Sequence, residues 1–231
     1  MFTLGGELVA RTLAAQGVST IYTLCGGHVM GIYDGCINNN IHVIDFRHEQ
    51  AAAHAADAHA RLTRNIGVAV VTAGPGVTDA VTGVANAYEA RSPLVLFGGA
   101  APLKTKGMGA LQEMPQLNLF KDITKTSLTI ERTEDIPALL HEAFTTALSG
   151  RPGPVFIEIP FDVLFNAVEP PPIPGRVQIE AQAPELSAVA QMFDILRTAQ
   201  KPILVAGTQV YWDAAHDALR ELTEQTGIPV F

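Results

Sequence analysis

GVAVVTAGPGVTDAVTGVANAYEARSPLVLFGGA, residues 67–100, decides the fold. GVAVVTAG (67–74) is β-branched and apolar on both faces, the pattern of a central strand covered from both sides in a parallel sheet. PGVTDAVTGVANAYEA (75–90) opens with Pro75, a residue suited to the first turn of a helix. SPLVLFGGA (92–100) is again a buried strand. Strand, helix and strand in this order are the repeating unit of an α/β protein.

The alternation extends in both directions. Residues 4–16 place Leu4, Leu8, Val9 and Leu13 at helical spacing before Gly17. VSTIYTL (18–24) predicts a short buried strand, CGGH (25–28) a turn into a helix over 28–37, and IHVIDF (41–46) another strand. From Glu49 to Leu62 the alanine content predicts a helix able to pack very close to its neighbours. Residues 101–120 are irregular, 134–148 predict a helix, and GPVFIEIP (153–160) predicts the last clear strand. The expected fold is α/β, a doubly wound parallel sheet with helices on both faces. In such sheets ligands sit outside the carboxyl ends of the strands. CGGH, RHE, TAGPG and GGAAP all follow strands, so the chemistry is expected along one rim.

Four prolines fall between positions 170 and 174, inside a stretch with almost no periodicity. That predicts a semi-rigid linker. The expected organisation is a domain over 1–165, a Pro-rich linker over 166–184, and an incomplete second α/β domain over 185–231. The last piece holds a helix (185–199), a strand in KPILVAGTQV and a helix (213–226). With one or two strands it is too small to bury a core of its own.

The composition bounds the function. The 231 residues are 48% hydrophobic and 16% charged, with a mean hydropathy of +0.21, which suits a globular protein and not a disordered one. A net charge of −8 without a basic stripe argues against a nucleic-acid partner. No apolar run reaches the roughly 18 residues that span a bilayer, and MFTLGGELVARTLAAQG reads as a helix, too interrupted for a signal peptide. Cys25 and Cys36 have no metal or CxxC spacing and are expected to be reduced core thiols of a cytoplasmic protein.

Single motifs leave the chemistry open. TAGPG (72–76) lacks the G-x-G-x-x-G spacing and any Lys-Ser/Thr, so neither nicotinamide-dinucleotide nor P-loop binding is supported. In isolation TAGPG, GGH (26–28) and GGA (98–100) read as tight turns. By residue type, Glu49 reads first as a carboxylate stabilised by a helix N-terminus. His48 and His54 suggest a metal, but no third ligand has suitable spacing, so no metal ligand is assigned.

The motifs taken together are more specific. GGELVARTLAAQGVSTIYTLCGGH, RHEQAAAHAADAHAR, the 67–100 segment, GALQEMPQ and RPGPVFIEIPFDVL occur in one order. They resemble the N-terminal pyrimidine-binding domain of thiamine diphosphate enzymes, nearest to acetolactate synthase large subunits and their 2-hydroxyacyl-CoA lyase and oxalyl-CoA decarboxylase relatives. The resemblance covers residues 4–165, and residues 185–231 resemble the start of the family's middle domain. It implies that Glu49 hydrogen-bonds N1′ of the cofactor's aminopyrimidine and so activates the cofactor. Desolvation disfavours a charged carboxylate, and a low-polarity surround suits such an acid to sharing a proton with a ring nitrogen. Thr72, Gly74, Pro75 and Gly76 match the loop beside the pyrimidine, Gly26 and Gly27 the loop near the reacting end of the cofactor, and Gln112 the glutamine close to the reaction centre. His28 is either a substrate-facing group or a satisfied turn histidine. Leu111, Cys25 and Asp79 stand where typical acetolactate synthases carry phenylalanine, proline and asparagine. GALQ with GGH looks closer to the lyase side.

In the family the diphosphate and Mg²⁺ are held on a C-terminal domain through a GDG segment, and no GDG occurs in this sequence. The resemblance therefore implies part of a C–C lyase or ligase for 2-keto acids or 2-hydroxyacyl-CoA, inactive by itself. It would be a fragment, a truncated product or half of a split enzyme, working as a homodimer or higher oligomer with a diphosphate-binding domain. FAD, bound by some relatives through the middle domain, has no support in these residues. The competing reading is a non-catalytic binding or regulatory module that keeps the fold. Retention of Glu49 and Gln112 favours the enzyme part.

Overall fold

Alternate residues of Gly67–Val71 enter two separate cores. Val68 and Val70 join one, Ala69 and Val71 the other, and all five residues are buried. The two-residue period of a strand thus divides one apolar run between two helical layers. The structure is a computed structural model describing residues 2–180 and 183–231; Met1 and, within the expected linker, Ala181 and Gln182 lie outside the described residues. The chain forms two compact units, Met1–Gln178 and Ile179–Phe231.

The first unit runs β1 (Thr3–Leu4), α1 (Gly5–Ala15), β2 (Thr20–Thr23), α2 (Met30–Asn38), β3 (His42–Asp45), α3 (Glu49–Thr63), β4 (Gly67–Val71), α4 (Pro75–Ala90) and β5 (Leu94–Ala100). It continues with α5 (Leu117–Phe120), β6 (Thr126–Thr129), α6 (Ile136–Leu148), β7 (Val155–Pro160), α7 (Phe161–Phe165) and β8 (Ala167–Val168). Six strands make one parallel sheet in the order β3-β2-β4-β5-β7-β6. The doubly wound parallel sheet expected from the sequence is present. β1 and β8 form a separate antiparallel pair, Thr3 opposite Val168.

Leu8, Val9 and Leu13 of α1, Ile32 of α2, and Leu140 and Phe144 of α6 fill the core on one face. Ala53 and Ala56 of α3, Val77, Ala80 and Val84 of α4, and Phe120 fill the other, where Phe120 stacks on Phe156 with centroids 4.1 Å apart. The alanines of α3 act through their small size. A Cβ built on Gly83 of α4 would lie 2.5 Å from Ala53 Cβ, so the two helices meet at backbone distance.

β2 lies between β3 and β4. The chain leaves β2 toward β3 on one side and leaves β4 toward β5 on the other, which makes the carboxyl ends of β2 and β4 a topological switch point. CGGH follows β2, RHE follows β3 and TAGPG follows β4.

Two local expectations, the strand in KPILVAGTQV and the core position of Cys25, need correction, and two features add to the sequence reading. Thr126–Thr129 is a strand at the sheet edge, half-buried throughout; four residues, three of them hydroxylated, show no apolar pattern. KPILVAGTQV forms only a bridge, Leu204 to Val230, with Ala206 N–H donating to the Phe231 carbonyl (2.7 Å). The Pro-rich stretch is held at its end: the Gln16 side chain donates to the Gly175 carbonyl (2.9 Å) and accepts from Val177 N–H (2.8 Å). Of the two free thiols only Cys36 is in the core, where burial pushes it up to about 12; Cys25 is exposed.

The second unit contains α8 (Leu186–Thr198), α9 (Gln209–Trp212) and α10 (His216–Thr226). Among its described residues none of these helices has a buried side chain, and Leu186, Val205 and Phe231 are exposed.

Candidate active site

Glu49 is the first residue of α3 and is only 7% exposed. Its entry into the helix is fixed by His48, the N-cap, whose Nδ1 accepts from Gln50 N–H (3.2 Å). No hydrogen bond from a described residue reaches the Glu49 carboxylate. Its Oε1 faces the loop after β4, 3.0 Å from where a Cβ on Gly76 would sit. The carboxylate is thus largely covered, unpartnered among the described residues, and open to a hydrogen-bond donor from a ligand.

The loop after β4 is shaped by Gly74, which stands at φ +63°, ψ −112° as the N-cap of α4. Side chains other than hydrogen rarely adopt this conformation. Pro75 occupies the first turn, as expected, and lacks an N–H to satisfy. Gly26, after β2, abuts this loop: a Cβ there would lie 2.2 Å from Thr72 Cβ. Gly27 meets nothing within 4 Å. The two glycines thus differ, one required by contact and one bordering open space.

His28 is buried, with Nδ1 3.3 Å from Thr72 Oγ1. Burial pushes it below the ordinary histidine range, against a backbone hydrogen bond at Leu111. The ring is therefore neutral near pH 7. Its other face meets Phe161 edge-on, centroids 6.4 Å apart.

Gln112 belongs to a loop clamped onto Gly74. It has φ +59°, and its carbonyl oxygen would lie 2.8 Å from a Cβ on Gly74. The loop is stapled by Glu113, whose carboxylate accepts from the backbone N–H groups of Gly107 and Ala110. Those bonds hold the Glu113 carboxyl below its ordinary range. Gln112, Met114, Gln116 and Glu158 line a cavity of 340 Å³ at the carboxyl ends of β5 and β7.

The structure therefore brings Gly26, His28, Glu49, Thr72, Gly74, Gly76 and Gln112 together around the switch point. Two residues here escaped the sequence reading. Gln116 is 2% exposed and Glu158 9%. The signal for Glu158 was an acid inside the apolar strand VFIEIP. Gln116 had no signal beyond its place at the end of QEMPQ. Asp79 of α4, named from the sequence only as a departure from acetolactate synthases, comes within 3.9 Å of His48 Nε2, and His48, Glu49 and Asp79 place ligand atoms within 4.8 Å of one another. The cluster does not include His54, the second histidine that the sequence suggested. A metal at Nε2 of a neutral His48 would need the ring proton on Nδ1, which instead accepts from Gln50 N–H. With Nδ1 accepting, the ring proton sits on Nε2 and faces Asp79, so the cluster is already explained by a cap and a polar contact.

The family model described as thiamine pyrophosphate enzyme, N-terminal TPP binding domain, matches residues 3–119, just over half of the chain. The chain belongs to the thiamine pyrophosphate enzymes. The model for the central domain of the same family matches residues 189–231. A probable acetolactate synthase of Mycobacterium bovis is 40% identical over 227 residues, covering 97% of this chain and 42% of that protein. The 2-hydroxyacyl-CoA lyase 2 of Caenorhabditis elegans is 38% identical over 267 aligned residues, covering 98% of this chain and 41% of the lyase. The human 2-hydroxyacyl-CoA lyase 2 is 39% identical, with 42% of its length covered. This member of the family thus spans about two fifths of its curated relatives. The family's cofactor is thiamine diphosphate. The unpartnered Glu49 and the small residues facing it fit an aminopyrimidine ring. Among the described residues no helix is long and apolar enough to cross a membrane.

Proposed function

We propose that this chain is the pyrimidine-binding part of a thiamine diphosphate-dependent C–C lyase or ligase acting on 2-keto acids or 2-hydroxyacyl-CoA. The observation that carries the proposal is the carboxylate of the buried residue Glu49, with no hydrogen-bond partner among the described residues, set against the Thr72–Gly76 loop at the switch point. When bound, the cofactor supplies a nucleophilic carbon and an electron sink for chemistry next to a carbonyl. Glu49 holds a proton between its carboxylate and N1′ of the aminopyrimidine. Gly76 and Thr72 form the wall beside the ring, where a side chain at position 76 would crowd Glu49. Gly26 packs against Thr72, and Gly27 leaves space at the reacting end. Neutral His28 and Gln112 offer hydrogen bonds toward the substrate side. We place the diphosphate and Mg²⁺ on a GDG-bearing domain that this sequence does not contain, brought to Glu49 by a partner subunit. Cys25 and Leu111 are both exposed; with GGH they lean the substrate class toward 2-hydroxyacyl-CoA.

The test is calorimetric titration of thiamine diphosphate with Mg²⁺ into this chain mixed with the diphosphate-binding domain of a relative. Binding should appear with the mixture and weaken about tenfold or more in Glu49→Gln, since a hydrogen bond to a charged group contributes about 1.5–3 kcal/mol. Turnover should fall about 10²-fold or more. Binding indifferent to Glu49→Gln would sink the proposal in favour of a non-catalytic module.

A further inference from the structure

Gly74 is held by a buried side chain from the segment that also carries Gln112. Its N–H donates to Gln116 Oε1 at 2.6 Å. Gln116 Nε2 spends both hydrogens on protein acceptors, the Gly99 carbonyl (3.0 Å) at the end of β5 and Glu158 Oε2 (2.8 Å) on β7. Glu158 Oε1 in turn accepts from Thr129 Oγ1 (2.9 Å) on β6. Both donors of the Gln116 amide and its oxygen are thus engaged, and they dictate its orientation. Two acceptors fix the NH₂ group, which leaves the carbonyl oxygen no direction but toward Gly74.

We propose that Gln116, oriented by Glu158, is a positioning residue that sets the Thr72–Gly76 loop against Glu49, and that the pair governs how the aminopyrimidine seats. This rests on the function proposed above. Gly74 is clamped twice by one short segment: Gln116 takes its N–H, and the Gln112 backbone closes on its α-carbon. Pro75, rigid in φ, passes any shift of Gly74 to Gly76. Gly76 lies against both Glu49 Oε1 and Thr72 Cγ2. A displacement of well under 1 Å at Gly74 therefore changes the gap between Glu49 and the wall on which a ring would rest, and such displacements matter to positioned reactants. The acceptor on Glu158 is a carboxylate, so its bond from Nε2 is charge-assisted and stronger than a neutral one. Neither Gln116 nor Glu158 touches the reacting atoms in this scheme.

The experiment uses the full 231-residue chain, ¹⁵N-labelled and mixed with the unlabelled diphosphate-binding domain of a relative, with thiamine as the probe because it presents the aminopyrimidine without the diphosphate. Two readouts are taken by NMR: hydrogen exchange at the Gly74 amide, and the thiamine dissociation constant from the Gly76 amide shift. Gln116→Leu should speed Gly74 exchange about tenfold or more and raise the dissociation constant about fivefold or more, while amides of β4 and β5 keep their protection. Glu158→Gln, which retains an acceptor for Nε2–H, should keep both readouts within about threefold, and Glu158→Ala should not. If Gln116→Leu fails to fold, Gln116→Asn, with the same groups one methylene short, carries the same two expectations. Thiamine binding in the wild type that the Gln116 variants leave untouched overturns this proposal alone, as does unchanged Gly74 exchange. A wild-type chain that binds no thiamine overturns the proposed site, and the role of Gln116 in it, while Gly74 exchange still reads the hydrogen bond itself.

Discussion

Gly74→Ala is the sharpest test of how the loop after β4 is built. The residue stands at φ +63°, ψ −112°, a region nearly closed to side chains, where strain is about 1–3 kcal/mol. The added Cβ would also lie 2.8 Å from the Gln112 carbonyl oxygen and 3.0 Å from Gln112 Cβ. Forcing atoms into a packed site costs a further ~1–3 kcal/mol. The two effects share one relaxation, so about 3 kcal/mol is expected. For a unit of this size that corresponds to a fall in Tm of roughly 6–12 °C. The assay is far-ultraviolet circular dichroism on heating and in urea, because the single tryptophan, Trp212, lies in the second unit and its fluorescence does not report this region. Gly27→Ala is the control. Nothing lies within 4 Å of its new methyl, so it should stay within about 0.5 kcal/mol of the wild type. A Gly74→Ala chain as stable as that control would refute the reasoning.

Three further outcomes follow from features of the first unit. Phe120→Ala removes a fully buried ring stacked on Phe156 and should lower the unfolding free energy by about 3–5 kcal/mol in urea titration. Cys36, pushed up to about 12 by burial, stays a thiol at pH 8, whereas Cys25 is exposed. A thiol reagent should thus label Cys25 quickly in the folded chain and Cys36 only in denaturant. Glu113 is held below the ordinary carboxylate range by the N–H groups of Gly107 and Ala110. A folded value lower than the unfolded one means its contribution is complete above the unfolded value and is lost as pH falls through the folded one. The Gly107 amide resonance should therefore shift in an acid titration with a midpoint below that of an exposed glutamate.

The sheet was legible where burial is symmetric. Gly67–Val71 and Val155–Pro160 are apolar along their whole length because helices cover both faces, and that leaves a plain mark in sequence. Thr126–Thr129 left none, since an edge strand with half-buried threonines has no reason to be apolar. At the site, the glycines and Glu49 could be named because their residue types are restrictive. Gln116 could not, because its importance lies in three partners drawn from distant parts of the chain. Gln112 at positive φ was equally hidden, as the clamp on Gly74 forces that backbone and the residue type does not announce it. Asp79 shows the converse: the sequence placed it on a helix, but only the packing of α3 on α4 brings it to His48.

The unpartnered carboxylate of Glu49 has a consequence for the chain as an object of selection. In the free protein it adds no hydrogen bond to the fold among the described residues, although the residue is only 7% exposed. A lineage screened only for resistance to heat is free to discard Glu49 and lose nothing that the screen can see. Its persistence beside Thr72 and Gly76 would then record a history of ligand occupancy, written in a residue that folding alone does not require.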